Sequence, residues 1–175
     1  MRLKNIIKTM KKDKYPAVAI NQFEHILETY GYDETLFEFV GKMDKLLTEK
    51  QRFSIWERNG GCRLGGRNRE AVAFQLEHGD KALIEKLRLL KKVPSLNRFR
   101  QNQDGTSTAG NGCHLCVLKK PKPPYTPPTL FGCSAGGALY NYEIALGVKL
   151  KMKSIDFHLT EDFSQTPYSF TFEVS

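Results

Sequence analysis

The apolar residues of this chain recur at two different spacings, and the change from one to the other decides the class of fold. Up to about residue 93 they return every three or four positions, the period of a helix with one face in a core; from Val148 onward they alternate, the period of a strand. Leu3, Ile6, Ile7 and Met10, set against Lys4, Lys8, Lys11 and Lys12, predict a short basic amphipathic helix docked on the core. Pro16 suits a first helical position, and Ala19, Ile20, Phe23, Ile26, Leu27 and Tyr30 form a stripe that Gly31 closes, with His25 opposite and exposed. A long third helix is predicted from a cap at Asp33, with Tyr32 and Phe37 as a staple, through Leu36, Phe39, Val40, Met43, Leu46, Leu47 and Phe53 to about Trp56. Asn59-Gly60-Gly61 stops it. Ala71, Phe74 and His78 mark one face of the next helix and Val72 and Leu76 an adjacent one; Asp80 is placed to cap a last helix carrying Leu83, Leu87 and Leu90 before Val93-Pro94.

Residues 94–112 are polar and aperiodic, and read first as a flexible, disordered loop and second as a functional one such as a lid. Beyond it, Cys113–Leu118 has strand texture, a proline-rich connector follows, and Thr129–Phe131 reads as a short strand entering a glycine turn and a helix over 134–146 that ends at Gly147. Val148, Leu150 and Met152 alternate with Lys149, Lys151 and Lys153, but at Ile155, Phe157 and Leu159 the apolar parity switches. A strand cannot change faces without interruption, so a bulge is predicted near Lys153-Ser154. Tyr168, Phe170, Phe172 and Val174 alternate cleanly and should form a hairpin with residues 148–159. The expected architecture is α+β: N-terminal helices packed on a small, mostly antiparallel C-terminal sheet, with one helix inserted between strands. A single domain, 1–175, is expected, with its helical segment over residues 1–93, the loop over 94–112 and a sheet-rich segment over 113–175.

At 175 residues and 40% hydrophobic content the chain can bury a real core. Its longest apolar stretches, Ala17–Ile20 and Ala71–Phe74, are too short to span a bilayer, and no apolar signal core follows Met1-Arg-Leu-Lys4, so a cytoplasmic protein without membrane insertion is expected. In a reducing compartment the four cysteines read as thiols, metal ligands or redox groups rather than as structural disulfides. The net charge of +8 admits an anionic partner but is equally that of a solvated basic surface.

Chemistry concentrates at Gly132-Cys133-Ser134-Ala135-Gly136-Gly137. With a strand before it and a helix after it, Cys133 or Ser134 would be the helix cap, where unpaired N–H groups favour a thiolate. Cys62, Cys113 and Cys133 each follow a glycine, and Cys113-x-x-Cys116 has the gap of a chelating turn, so Cys62, Cys113, Cys116 and Cys133 are candidate metal ligands, with zinc the metal that suits thiolates best and an iron–sulfur centre beside it. The plain alternative is four small hydrophobes in ordinary packing. The same stretch fits the G-x-S-x-G elbow of serine hydrolases, but too little chain follows Ser134 for that fold. A thiol mechanism would use Cys133 as nucleophile, His158 or His114 as base, and helix N–H groups for an oxyanion; the strand alternation, however, turns His158 toward solvent.

From Gly112 onward the order is a CxxC pair, a proline-bearing connector, Leu130-Phe-Gly-Cys133-Ser134, a helix ending Ala145-Leu-Gly147-Val148-Lys149, a strand ending Ser154-Ile155 and a Phe-rich last strand. This order resembles the C-terminal half of vinyl-4-reductase-type small-molecule-binding domains and is similar to the L-2-amino-thiazoline-4-carboxylate hydrolase family. The resemblance implies an α+β fold around an apolar ligand pocket, with Cys113, Cys116 and Cys133 as metal-binding or redox-sensing cysteines. The chain departs from those families in having Glu161-Asp162 and Pro167-Tyr168 where they carry a further cysteine before the last strand.

The first reading is therefore a small-molecule-binding or sensor-like domain for an apolar or cyclic ligand, with Ser134, Gly136 and Tyr142 as ligand-binding residues and a cysteine site that either binds a metal, with zinc the candidate, or acts in redox. The second is a thiol- or metal-dependent hydrolase of a small cyclic amide-like substrate, with Cys133 catalytic. The third is a basic nucleic-acid-binding module using Arg63, Arg67, Arg69, Arg98 and Arg100. It stands last, because the single Arg98-Phe99-Arg100 triplet is a thin basis for base recognition.

Overall fold

The computed structural model describes residues 3–30, 32–61, 66–110, 129–157 and 168–175. These form seven helices and four strands: α1 Leu3–Lys12, α2 Ala17–Thr29, α3 Tyr32–Leu46, α4 Glu49–Asn59, α5 Gly66–His78, α6 Leu83–Leu90, β1 Phe99–Gln101, β2 Ser107–Gly110, α7 Leu130–Leu146, β3 Leu150–Phe157 and β4 Tyr168–Val174. The fold is α+β, with the helical region first and α7 set between β2 and β3.

The first helices follow their apolar stripes. Ile6, Ile7 and Met10 of α1, and Ile20, Phe23 and Ile26 of α2, are buried, while His25 is exposed. Pro16 stands one position earlier than expected, as the cap of α2. The predicted long third helix is in fact two. Thr48 interrupts it with a capping box, its hydroxyl accepting from the Gln51 N–H and its own N–H donating to Gln51 Oε1. On either side of the break, Phe39, Val40 and Met43 of α3 and Ile55 and Trp56 of α4 are buried in the core. The last N-terminal helix, α6, is capped at Ala82, so Asp80 does not serve as its cap.

The loop expected over 94–112 is corrected over its described residues, 94–110, where β1 and β2 form an antiparallel hairpin. Gly105, at φ +81°, supplies the left-handed residue of the connecting turn, and Asn102 N–H closes it on Thr106 O at 2.8 Å. The sheet order is β1-β2-β4-β3, every neighbour antiparallel. Its register lays Phe99, Ala109, Phe170 and Ile155 in one row and Gln101, Ser107, Phe172 and Met152 in the next. Ala109, Phe170 and Phe172 are fully buried, and each phenylalanine contributes about 2 kcal/mol by leaving water. The row between them, Arg100, Thr108, Thr171 and Ser154, lies on the other face. The register shift between Met152 and Ser154 is the predicted bulge, and the β3–β4 hairpin is the predicted pairing. The strand expected at Cys113–Leu118 lies outside the described residues.

Helix α7 runs through the middle of the core. Ala135, Ala138, Leu139, Tyr142, Ala145 and Leu146 are buried, and Gly147 ends the helix in the left-handed conformation at φ +69°. The buried Lys86 of α6 donates to Leu146 O at 3.0 Å, placing a cation at the negative end of the helix. No helix among the described residues is long and apolar enough to cross a membrane.

Candidate functional site

The stretch that gathers the candidate residues begins inside α7 instead of ahead of it. Thr129 is the cap residue, its hydroxyl donating to Asp44 of α3, and Leu130 to Phe131 are helical. Cys133 and Ser134 are thus within the helix, not at its cap, and the strand expected at Thr129–Phe131 does not form. This removes the strand–turn–helix setting that a nucleophile elbow requires. The Thr129 side chain makes no hydrogen bond to the helix it precedes, so the usual threonine cap is not the signal that would have placed the helix start here.

The glycines serve contact between α4 and α7. A Cβ on Gly136 would stand 2.0 Å from Trp56 O, and one on Gly132 would stand 2.2 Å from Trp56 Cδ1. At the end of α4, Gly61 has φ +74°, and a Cβ there would meet Gly137 Cα at 2.1 Å. Glycine on both sides lets the two backbones touch, as small residues do wherever helices approach closely. Packing therefore accounts fully for Gly136, one of the three ligand-binding candidates.

This contact brings Cys133 to the end of α4. The Gly61 N–H donates to Cys133 Sγ at 3.4 Å, and the sulfur is half-buried. Gly61 is the residue immediately before Cys62 in the chain. Cys62, Cys113, Cys116, His114 and His158 lie outside the described residues, as does Arg63. Among the described residues no group of three or more His, Cys, Asp or Glu side chains could hold a metal ion.

Ser134 is 5% exposed and Tyr142 2% exposed. Tyr142 packs its ring on Phe99 of β1, centroids 4.5 Å apart, and burial pushes its hydroxyl up to about 12, against the opposing pull of the Arg67 and Arg98 charges. The preceding residue, Asn141, donates its amide to Gly137 O at 2.7 Å and leaves its buried Oδ1 without a hydrogen-bond partner among the described residues. The buried Arg67 Nε and Asn68 Nδ2 at the start of α5 also have none among the described residues. Arg67 and Arg69 sit on α5, whereas Arg100 lines a cleft together with Arg88 of α6 and Lys91 at its C-terminal cap, two cations not singled out from the sequence, and Arg98 lines an adjoining hollow. The helical spacing of Arg88 and Lys91 reads as an ordinary solvated face until β1 is brought beside it.

Compared with models of protein families, with curated proteins and with solved structures, the chain finds no match.

Proposed function

We propose that this chain is a small-molecule-binding or sensor-like domain whose working group is a thiol site at the contact of α4 with α7. The observation that carries the reading is the hydrogen bond from Gly61 N–H to Cys133 Sγ, because it holds a half-buried sulfur beside the residue that leads into Cys62. The glycine contact supports it further: two backbones in touch leave the sulfur little freedom to swing away, which is how a thiol is pre-positioned for a partner. In this reading Cys62 and Cys133 work together, Cys113 and Cys116 complete the set, and zinc is the ion that four thiolates would hold. The likeness of the C-terminal half to vinyl-4-reductase-type domains belongs to the same proposal, with an apolar or cyclic molecule as ligand.

Metal analysis of protein purified without chelator, combined with thiol titration before and after denaturation, tests the site. One zinc per chain and thiols that react only after denaturation are expected. Metal-free protein with four thiols reacting at equal rates in the native state would remove the site, and the sensor reading with it.

A further inference from the structure

A second feature lies away from the cysteines, between α6 and the outer side of β1. A cleft of about 550 Å³ is lined by Ile84, Leu87, Arg88 and Lys91 on one side and by Asn97, Phe99, Arg100 and Gln101 on the other. An adjoining hollow shares Asn97 and Arg100 and adds Arg98 and Thr108. Among the described residues no carboxylate lines either one. Arg88, Lys91 and Arg100 are exposed and form no ion pair among the described residues.

A plainer account covers some of this. Arg88 and Lys91 stand in the last turn and at the cap of α6, where cations are favoured by the helix dipole. That account does not extend to Arg100, which is on a strand, nor to the convergence of three cations on one concavity without a counter-charge among the described residues. Like charges gathered around a cleft repel one another, and the low-dielectric walls focus their field so that it attracts a multivalent anion.

We infer that this cleft binds a small polyphosphorylated molecule through Arg88, Lys91 and Arg100. Guanidinium groups pair with phosphate oxygens in a two-pronged manner, and lysine adds a point charge. The Asn97 and Gln101 amides are further donors, and Ile84, 66% exposed at the rim, with Leu87 beside it, offers apolar surface to an organic portion of the ligand. The volume lies within the range of about 300–1,000 Å³ that small-molecule sites occupy. A single-stranded nucleic acid fits less well: such partners stack bases on exposed rings, and the aromatic ring in the cleft, Phe99, is 3% exposed and committed to Tyr142. The inference rests on charge and shape at β1 and does not depend on the thiol site.

The test is calorimetric titration of the whole chain with inorganic tripolyphosphate, and separately with single-stranded oligonucleotides of increasing length. Saturable one-site binding of tripolyphosphate at about 0.15 M ionic strength is expected, with affinity falling as salt rises. Arg100→Gln and Arg88→Gln should each weaken it about tenfold, and Lys50→Gln, an exposed cation outside the cleft, should leave it unchanged. Near-UV circular dichroism of each variant checks that the fold is retained. Three results would overturn the inference: no saturable binding, equal loss from Lys50→Gln, or oligonucleotide binding that is tighter than tripolyphosphate and strengthens with length.

Discussion

The sheet has two outer strands among those described, and they end in opposite ways. Along β3, two carboxylates take backbone donors that would otherwise be open: Glu57 of α4 accepts the Met152 N–H at 2.8 Å, and Glu143 of α7 accepts the Leu150 N–H at 3.0 Å. Charged side chains from its own helices thus occupy the first part of this edge and make it a poorer template for another strand. Along β1, which is three residues long, the outer side meets a basic cleft with no carboxylate in its lining among the described residues. Consecutive residues of α7 serve the two edges, since Glu143 reaches β3 while the Tyr142 ring lies on Phe99 of β1. One edge has spent its polar groups on the fold, and the other has kept them for something outside it.

The change that most disturbs both edges is Gly136→Ala. Alanine is the better helix former by about 1 kcal/mol. Its Cβ, however, would stand 2.0 Å from the Trp56 carbonyl, and backbone cannot yield as a side chain tip can. We expect a net loss of about 3 kcal/mol in urea unfolding. A stable Gly136→Ala protein would mean that α4 and α7 are not in backbone contact, and the description of both edges would fall with it.

The closed edge is tested alone by Glu57→Ala, which leaves the Met152 N–H without its acceptor and should cost about 1–3 kcal/mol. Glu57→Gln keeps an acceptor oxygen and should cost less. If the two variants unfold at the same urea concentration, the carboxylate does not close this edge.

Tyr142 gives the β1 side a signature in pH. Its hydroxyl titrates at about 12 when folded and near 10 when unfolded. The unfolded chain therefore loses the proton first, and stability is full below pH 10 and declines as pH rises toward 12. A shift of that size corresponds to about 2–3 kcal/mol over the interval. Tyr142→Phe has no proton to lose, so its stability should fall less steeply across the same range; parallel curves for the two proteins would show that the phenol is not shielded.

The smallest effect is expected from Arg100→Gln. Exposed and without an ion pair among the described residues, Arg100 holds nothing in place, and its removal should change unfolding by no more than about 0.5 kcal/mol. That near-silence, beside the cost of Glu57→Ala, is the contrast between the edges in its sharpest form. A large loss would instead make Arg100 a structural residue of the hairpin.

Local pattern determined a good deal of this protein. The stripes of α1 and α2, the β3–β4 hairpin, the bulge between Met152 and Ser154 and the helix end at Gly147 were all legible, because each depends on residues close in sequence whose period or backbone freedom is visible there. The capping box at Thr48 and Gln51 and the Asp104-Gly105 turn were legible too, but the continuous apolar stripe and the polar composition masked them. What only the tertiary structure decided was the partner of each glycine and each charge. Gly132, Gly136 and Gly137 read as a turn because glycine breaks isolated helices; against Trp56 and Gly61 the same absence of a side chain is what permits a helix to sit there. Arg88, Lys91 and Arg100 are ordinary surface residues in the sequence and become a cleft when α6 and β1 are brought together, since an electrostatic site is made by distances through space, which hydrophobic period does not encode.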